Sequence, residues 1–330
     1  MAGGKLLRQL VKAGTAGDVE VFKRVSEEVI REERQKQHHL LANDLEHILY
    51  GRPKPLETTG LSRLIPTVPT DKERGLPLLN LRQAQRSLED LVLPERTHAA
   101  FEELLQEHRR EDILRSYGLQ PSSKILFFGP PGCGKTLSAE VAAYELDLPL
   151  AVVRLDALVS SYLGETAANL GRVFDFIDKH PLVALFDEFD ALGKERADTS
   201  EHGELRRLVN AVLQMMDAYN GRSLLIAATN HEQILDTAIW RRFDDILEFP
   251  LPTKEMLPQI LQLKLRGVRR QFETDSEDAI LMLQGLSPAD IERIVRRAVK
   301  RMILKGQEFL TIKELGLAKE RELRLTDQRR

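Results

Sequence analysis

The chain has 330 residues, 42% of them hydrophobic, a formal net charge of −3 and one cysteine. That composition can bury one large core and a smaller one, and it carries no overall basic field to recruit nucleic acid or anionic lipid. A lone cysteine excludes an intrachain disulfide and points to a reducing compartment. Apolar runs such as 182–186 are far too short to cross a membrane, and the charged start lacks the apolar stretch of a signal peptide. The expectation is a cytoplasmic protein without a membrane span.

Residues 1–50 carry three apolar stripes at helical spacing. They are Leu6, Leu7, Leu10 and Val11, then Phe22, Val25 and Val29 after a break at Gly17-Asp18, then Leu41, Leu45, Ile48 and Leu49. Eight basic and eight acidic residues balance the surface of what reads as a small N-terminal helical bundle, serving either as an adaptor for a partner or as oligomer packing. The adjacent His38 and His39 point to different parts of a helix surface and read as solvent-exposed rather than metal-binding. Residues 51–80 form a Pro-rich linker, with prolines at 53, 55, 66, 69 and 77.

Residues 81–250 alternate apolar runs (125–128, 151–154, 182–186, 223–228, 246–249) with helical patterns. That alternation predicts an α/β fold, a three-layer parallel sheet covered on both faces. The first run enters Gly129-Pro130-Pro131-Gly132-Cys133-Gly134-Lys135-Thr136, followed by a helix from Leu137. This is a complete phosphate-binding loop, in which glycines let backbone N–H groups approach phosphate oxygens and the helix N-terminus faces the same anion. Lys135 would reach the β- and γ-phosphates, and the Thr136 hydroxyl would serve Mg²⁺. Cys133, at the helix entry, is expected to favour the thiolate. The run 182–186 ends in Asp187 and Glu188, 52 residues beyond Lys135. Asp187 would hold Mg²⁺ through its water shell, and Glu188 could polarise an attacking water. The pattern implies a Mg²⁺-dependent nucleoside triphosphate hydrolase.

Residues 251–330 read as a helical lid with helices at 253–266, 276–285, 288–304 and after Thr311. Ser287 and Pro288 make a good helix start, as N-cap and first residue.

The order Gly-Pro-Pro-Gly-Cys-Gly-Lys-Thr, Leu-Phe-Asp-Glu-Phe-Asp-Ala-Leu, Ala-Ala-Thr-Asn and Arg-Arg-Phe-Asp resembles AAA+ ATPases. It is most similar to the classical AAA clade of ring-forming protein remodellers, over about residues 85–305. The resemblance implies that Asn230 positions water against the γ-phosphate. It makes Arg241 and Arg242 arginine fingers that complete a neighbouring subunit's site, and so implies a homohexamer. It places Tyr162, Leu163 and Gly164 on a pore loop that grips a polypeptide substrate, with 197–203 as a second pore-facing segment. Met216-Asp217-Ala218-Tyr219 stands where relatives carry Asp-Gly-Phe, and Ala218 departs from that pattern. Similar bacterial ATPases are encoded beside a subtilisin-like protease in modules directed against phage. This chain has neither a His-Glu-x-x-His nor a Gly-x-Ser-x-Gly signature, so any protease is a separate partner. Basic insertions of the kind a DNA-directed relative would need are absent. Two readings follow: a remodeller that threads polypeptide through its pore, or an ATP-switched assembly protein that does not translocate.

Overall fold

The computed structural model describes residues 12, 19–35, 67–72, 74–159, 163–189, 211–230 and 240–327. For 19–20, 33–35, 159, 163–165 and 326–327 it describes the backbone alone. The chain divides into two compact units at Pro66/Thr67. In the first, helix α1 (Val19–Gln35) buries Val25 and Ile30 and leaves Lys23 and Arg24 exposed.

The second unit is built on a six-stranded sheet of β1 (Leu79–Arg82), β2 (Lys124–Phe128), β3 (Leu150–Val153), β4 (Val183–Phe186), β5 (Leu224–Thr229) and β6 (Asp245–Glu248). The spatial order is β1-β3-β4-β5-β2-β6. The five strands expected from the apolar runs are parallel. β1 adds an antiparallel edge, with Leu79 opposite Val153 and Leu81 opposite Ala151. It follows a tight reversal, in which Thr70 bridges Pro77 in antiparallel fashion, rather than a crossover helix, so nothing forces it parallel. A buried Asp71 secures that segment, accepting from the Asn169 side-chain amide at 3.5 Å, while Arg172 donates to the Thr70 carbonyl at 3.2 Å.

Alternation within the strands distributes side chains to two cores. Leu126, Ala184, Phe186, Leu225 and Ala227 meet the helices α5 (Leu155–Val159) and α6 (Leu163–Lys179) and the helical residues 211–218 on one face. Ile125, Phe127, Val183, Leu185, Leu224 and Ile226 meet α2 (Glu95–Arg109) and α4 (Lys135–Glu145) on the other. The short α3 (Glu111–Ser116) follows α2. Buried Ala139, Ala142 and Ala143 let α4 lie close against the sheet.

A third core, with Ile260, Leu283, Ile291, Val295 and Leu315, belongs to the helical lid. Its helices are α7 (Leu257–Lys264), α8 (Glu277–Leu283), α9 (Pro288–Leu304) and α10 (Ile312–Asp327). α9 starts as the sequence predicts, with Ser287 as N-cap, Pro288 in the first turn and a capping box closed by Asp290. Among the described residues, no helix is long and apolar enough to cross a membrane.

One buried hydroxyl joins the α6 end to the sheet. Ser223 Oγ donates to the Ile177 carbonyl at 3.0 Å and accepts from the Leu182 N–H at 3.1 Å, with no solvent exposure. Ser223→Ala strands both partners without water, and the expected cost is about 1–3 kcal/mol. Chemical denaturation of the variant checks this, and an unchanged midpoint would count against the hydroxyl as a strut.

Candidate nucleotide-hydrolysis site

β2 leads straight into the loop from Gly129 to Thr136, and α4 begins at Lys135 with Gly134 as its N-cap. No side chain caps this helix start, so its first N–H groups are available to an anion. Two glycines have steric reasons to be there. Gly129 has φ +136°, and a Cβ on it would run into the Phe249 carbonyl at the end of β6. Gly132 has φ +76°, and its Cβ would lie 2.7 Å from Ser287 Oγ and 2.9 Å from Ala289 Cβ. Pro130, Pro131 and Thr136 are exposed at the loop surface, and Leu137 packs partly buried against the second core. Lys135 is only 6% exposed, and its ammonium donates to the Gly129 and Pro130 carbonyls at 2.7 and 2.8 Å.

β4 delivers the two carboxylates to the same edge, because β4 pairs with β5 and β5 pairs with β2. Thr136 Oγ1 donates to Asp187 Oδ2 at 2.7 Å, and the Glu188 N–H donates to Asp187 Oδ1 at 2.9 Å. The expected metal ligands Thr136 and Asp187 are therefore together. Glu188 is exposed and has φ +51°, a left-handed conformation uncommon for a residue with a side chain. Asn230, half-buried, directly follows β5 at the same carboxyl edge. This is where open α/β sheets place ligands.

The arginine pair lies on the turn before β6. Arg241 is exposed, while Arg242 Nη1 bonds Asp217 Oδ2 at 2.7 Å. Tyr162 lies outside the described residues, as does the segment 197–203. Leu163 and Gly164 form the start of α6, where the backbone alone is described.

The expectation for Cys133 is corrected. Its side chain is buried, and that burial pushes the thiol above its ordinary value. The nearby Lys135 ammonium pulls the other way, and the Asp290 carboxylate, reaching over from α9, adds to the rise. Helix-entry position alone suggested the opposite, but desolvation of a thiolate is the larger effect here.

The residues fit a nucleoside triphosphate with Mg²⁺. An uncapped helix start, a glycine cradle without room for a Cβ and a buried lysine suit the phosphates. A hydroxyl and a carboxylate in contact suit a hard cation that keeps most of its waters. Among the described residues there is no cluster of three or more His, Cys, Asp or Glu side chains.

Residues 125–251 match the ATPase family associated with various cellular activities (AAA). The chain is 40% identical over 324 residues to an uncharacterized AAA family ATPase of Sinorhizobium fredii, covering 98% of this chain and 96% of that one. The chain belongs to the AAA family of ATPases. It is also 34% identical over 233 residues to the proteasome-activating nucleotidase of Pyrococcus horikoshii, covering 65% of this chain and 57% of that protein. A 26S proteasome regulatory subunit 10B homolog of Arabidopsis thaliana is 31% identical over 194 residues, covering 57% and 49%. This ATPase therefore spans about half the length of its proteasome-associated relatives. Kinship with these classical AAA members makes it an ATP hydrolase.

The sequence reading missed how the lid touches the loop. The Ala289 N–H donates to the Gly132 carbonyl at 3.1 Å, so the first turn of α9 rests on the phosphate-binding loop. The small residues Gly132 and Ala289 were the available signal, because the contact leaves no room for larger ones.

Two outcomes are expected at this site. Lys135→Ala abolishes ATP binding, whereas Glu188→Gln retains binding and loses turnover. Nucleotide titration and phosphate release measure both, and substantial hydrolysis by Glu188→Gln would remove Glu188 from the water-polarising role. Separately, alkylation of Cys133 is slow at neutral pH and accelerates as pH rises toward the elevated thiol value, because only the thiolate reacts. A rate series with iodoacetamide decides it, and rapid modification at neutral pH would contradict burial as the controlling effect.

Proposed function

We propose that this ATPase assembles into a homohexameric ring that uses ATP hydrolysis to unfold and thread polypeptide substrates through a central pore. The observation that carries this reading is Arg241. It is exposed on a turn, and its side chain bonds to no described residue. An arginine so placed suits action on a second subunit's nucleotide, and such a finger accelerates phosphoryl transfer by about 10³–10⁵. Similarity to proteasome-activating ATPases supports the same reading.

Within each subunit, Gly129–Thr136 would wrap the phosphates, with Lys135 turning from its loop carbonyls onto the β- and γ-oxygens. Thr136 and Asp187 would hold the Mg²⁺, which when bound neutralises the growing phosphate charge. Glu188 would draw the proton side of the attacking water, with Asn230 orienting that water from the end of β5. The Ala289–Gly132 contact gives the lid a direct sense of the loop's state, so loop movement on hydrolysis would rotate the lid. Tyr162, Leu163 and Gly164 would grip substrate in the pore, a rigid aromatic with an apolar body being suited to unselective contact. A separate protease is a fitting recipient of the unfolded chain.

If sites are completed in trans, ATPase activity per chain rises with protein concentration as subunits associate. Tyr162→Ala rings hydrolyse ATP yet fail to process a tagged, folded substrate. A variant that processes substrate like wild type would displace threading in favour of an ATP-switched assembly protein. Activity independent of concentration, from a chain that stays monomeric, would displace the ring.

A further inference from the structure

Arg241 and Arg242 are neighbours in sequence, but their surroundings separate them. The turn that carries them is pinned on both sides. Trp240 meets Phe128 edge-on, with centroids 5.2 Å apart, and Phe243 is buried in the first core. Between these anchors Arg241 faces solvent. Arg242 instead turns back onto its own chain, where its guanidinium donates to Asp217 at 2.7 Å. Asp217 is itself rigidly placed. It lies in the last turn of the helical residues 211–218, whose Val212, Leu213 and Met216 are buried in the same core. Two residues later, the Tyr219 hydroxyl accepts from the Ser223 N–H at 2.8 Å and fixes the exit of the helix.

We propose that the two arginines have different roles: Arg241 alone reaches the neighbouring subunit's nucleotide, and Arg242, clamped by Asp217, is a positioning residue that aims it. The assignment rests on the ring reading above. An ion pair this exposed contributes little to stability, so its value lies in orientation. The clamp acts on the residue adjacent to Arg241, where a small rotation of the turn displaces a guanidinium at the end of a long side chain. The segment Met216-Asp217-Ala218-Tyr219 thereby acquires a role without its missing glycine: its acid sets the finger within its own chain.

The expected losses differ in size. Arg241→Ala lowers kcat by about 10³-fold or more. Arg242→Ala and Asp217→Ala each lower it by about 10- to 100-fold, the scale of a misplaced group, with KM for ATP unchanged. Their double variant is no worse than either alone, because both remove one clamp. Melting temperatures stay within about 2 °C of wild type, as suits an exposed pair.

The deciding variant is the charge swap Asp217→Arg/Arg242→Asp. It rebuilds the clamp with its charges reversed, so it restores most of the lost kcat if position 242 only positions. A swap as inactive as Arg242→Ala means that the guanidinium at 242 is itself needed, which overturns the assignment.

Subunit mixing supplies an independent reading that does not depend on the swapped pair forming. Under the proposal, Asp217→Ala and Arg242→Ala damage the same donor side of every interface, so mixed rings regain no activity. Regained activity places Asp217 on the nucleotide side and overturns the clamp. In the companion mixture, Glu188→Gln chains lend intact arginines to Arg241→Ala chains, and activity returns. Failure of that mixture overturns the ring reading and takes the clamp with it. Its success with a dead swap overturns the division of roles alone.

Discussion

The site depends on β2 being paired on both sides at its exit. β5 lies along one edge of β2 and β6 along the other, with Phe128 opposite Thr229 and Glu248. The Phe249 carbonyl, just past β6, occupies the space that a Cβ at position 129 would need. The chain leaving β2 therefore has to turn at a glycine, and that turn begins the phosphate cradle. The same parallel registers bring Asp187 from β4 and Asn230 from β5 to the same edge. One bond then closes the arrangement: Thr136 Oγ1 on Asp187 Oδ2 ties the first turn of α4 to the end of β4. The result is a set of groups positioned by strands buried on both faces.

The lid is attached to that arrangement by contact rather than by shared core. Its apolar residues form their own cluster, and α9 meets the phosphate-binding loop at Gly132 through Ser287 and Ala289. Behind this contact runs a chain of charges. Asp290 holds Ser287 and Arg293, Arg293 also pairs with Glu322, and Glu322 accepts from Arg297 at 2.9 Å. Glu322 is buried on α10, and an isolated buried carboxylate would be costly, so the two arginines are held to it firmly. α9 and α10 are thereby locked into one body. A displacement of the loop at Gly132 would move them together, which is the behaviour a hinged lid requires.

Much of this was legible in the sequence because it follows from local rules. A near-continuous apolar run means a doubly buried strand, and all five runs are strands, although β6 at the sheet edge leaves Glu248 exposed. Ser287-Pro288 with Asp290 writes a capping box, and the box is present. The glycines, lysine and threonine of the loop announce its chemistry by spacing alone. What stayed hidden depends on long-range geometry. β1 is four residues at a sheet edge, only two of them apolar, too short to show a period of two. The Cys133 environment is decided by burial in the folded chain, with a smaller contribution from the Asp290 carboxylate 157 positions away. The Asp217–Arg242 pair spans 25 positions and two elements, and neither residue is distinctive alone.

Glu188 shows how such a site holds groups that resist being held. Two adjacent carboxylates repel, and an ordinary extended strand end would send them to opposite faces of the sheet. The backbone at Glu188 instead takes φ +51°, a conformation costing about 1–2 kcal/mol for a residue with a Cβ. The Asp187 carboxylate helps to hold it by accepting the Glu188 N–H, and the next residue, Phe189, is buried in the first core. Anchored on both sides, the strained residue remains exposed. Asp187 is left as the hydroxyl-bound partner of the proposed cation site, and the Glu188 carboxylate stays exposed. Sequence places the two acids side by side, and the left-handed turn separates what they can do.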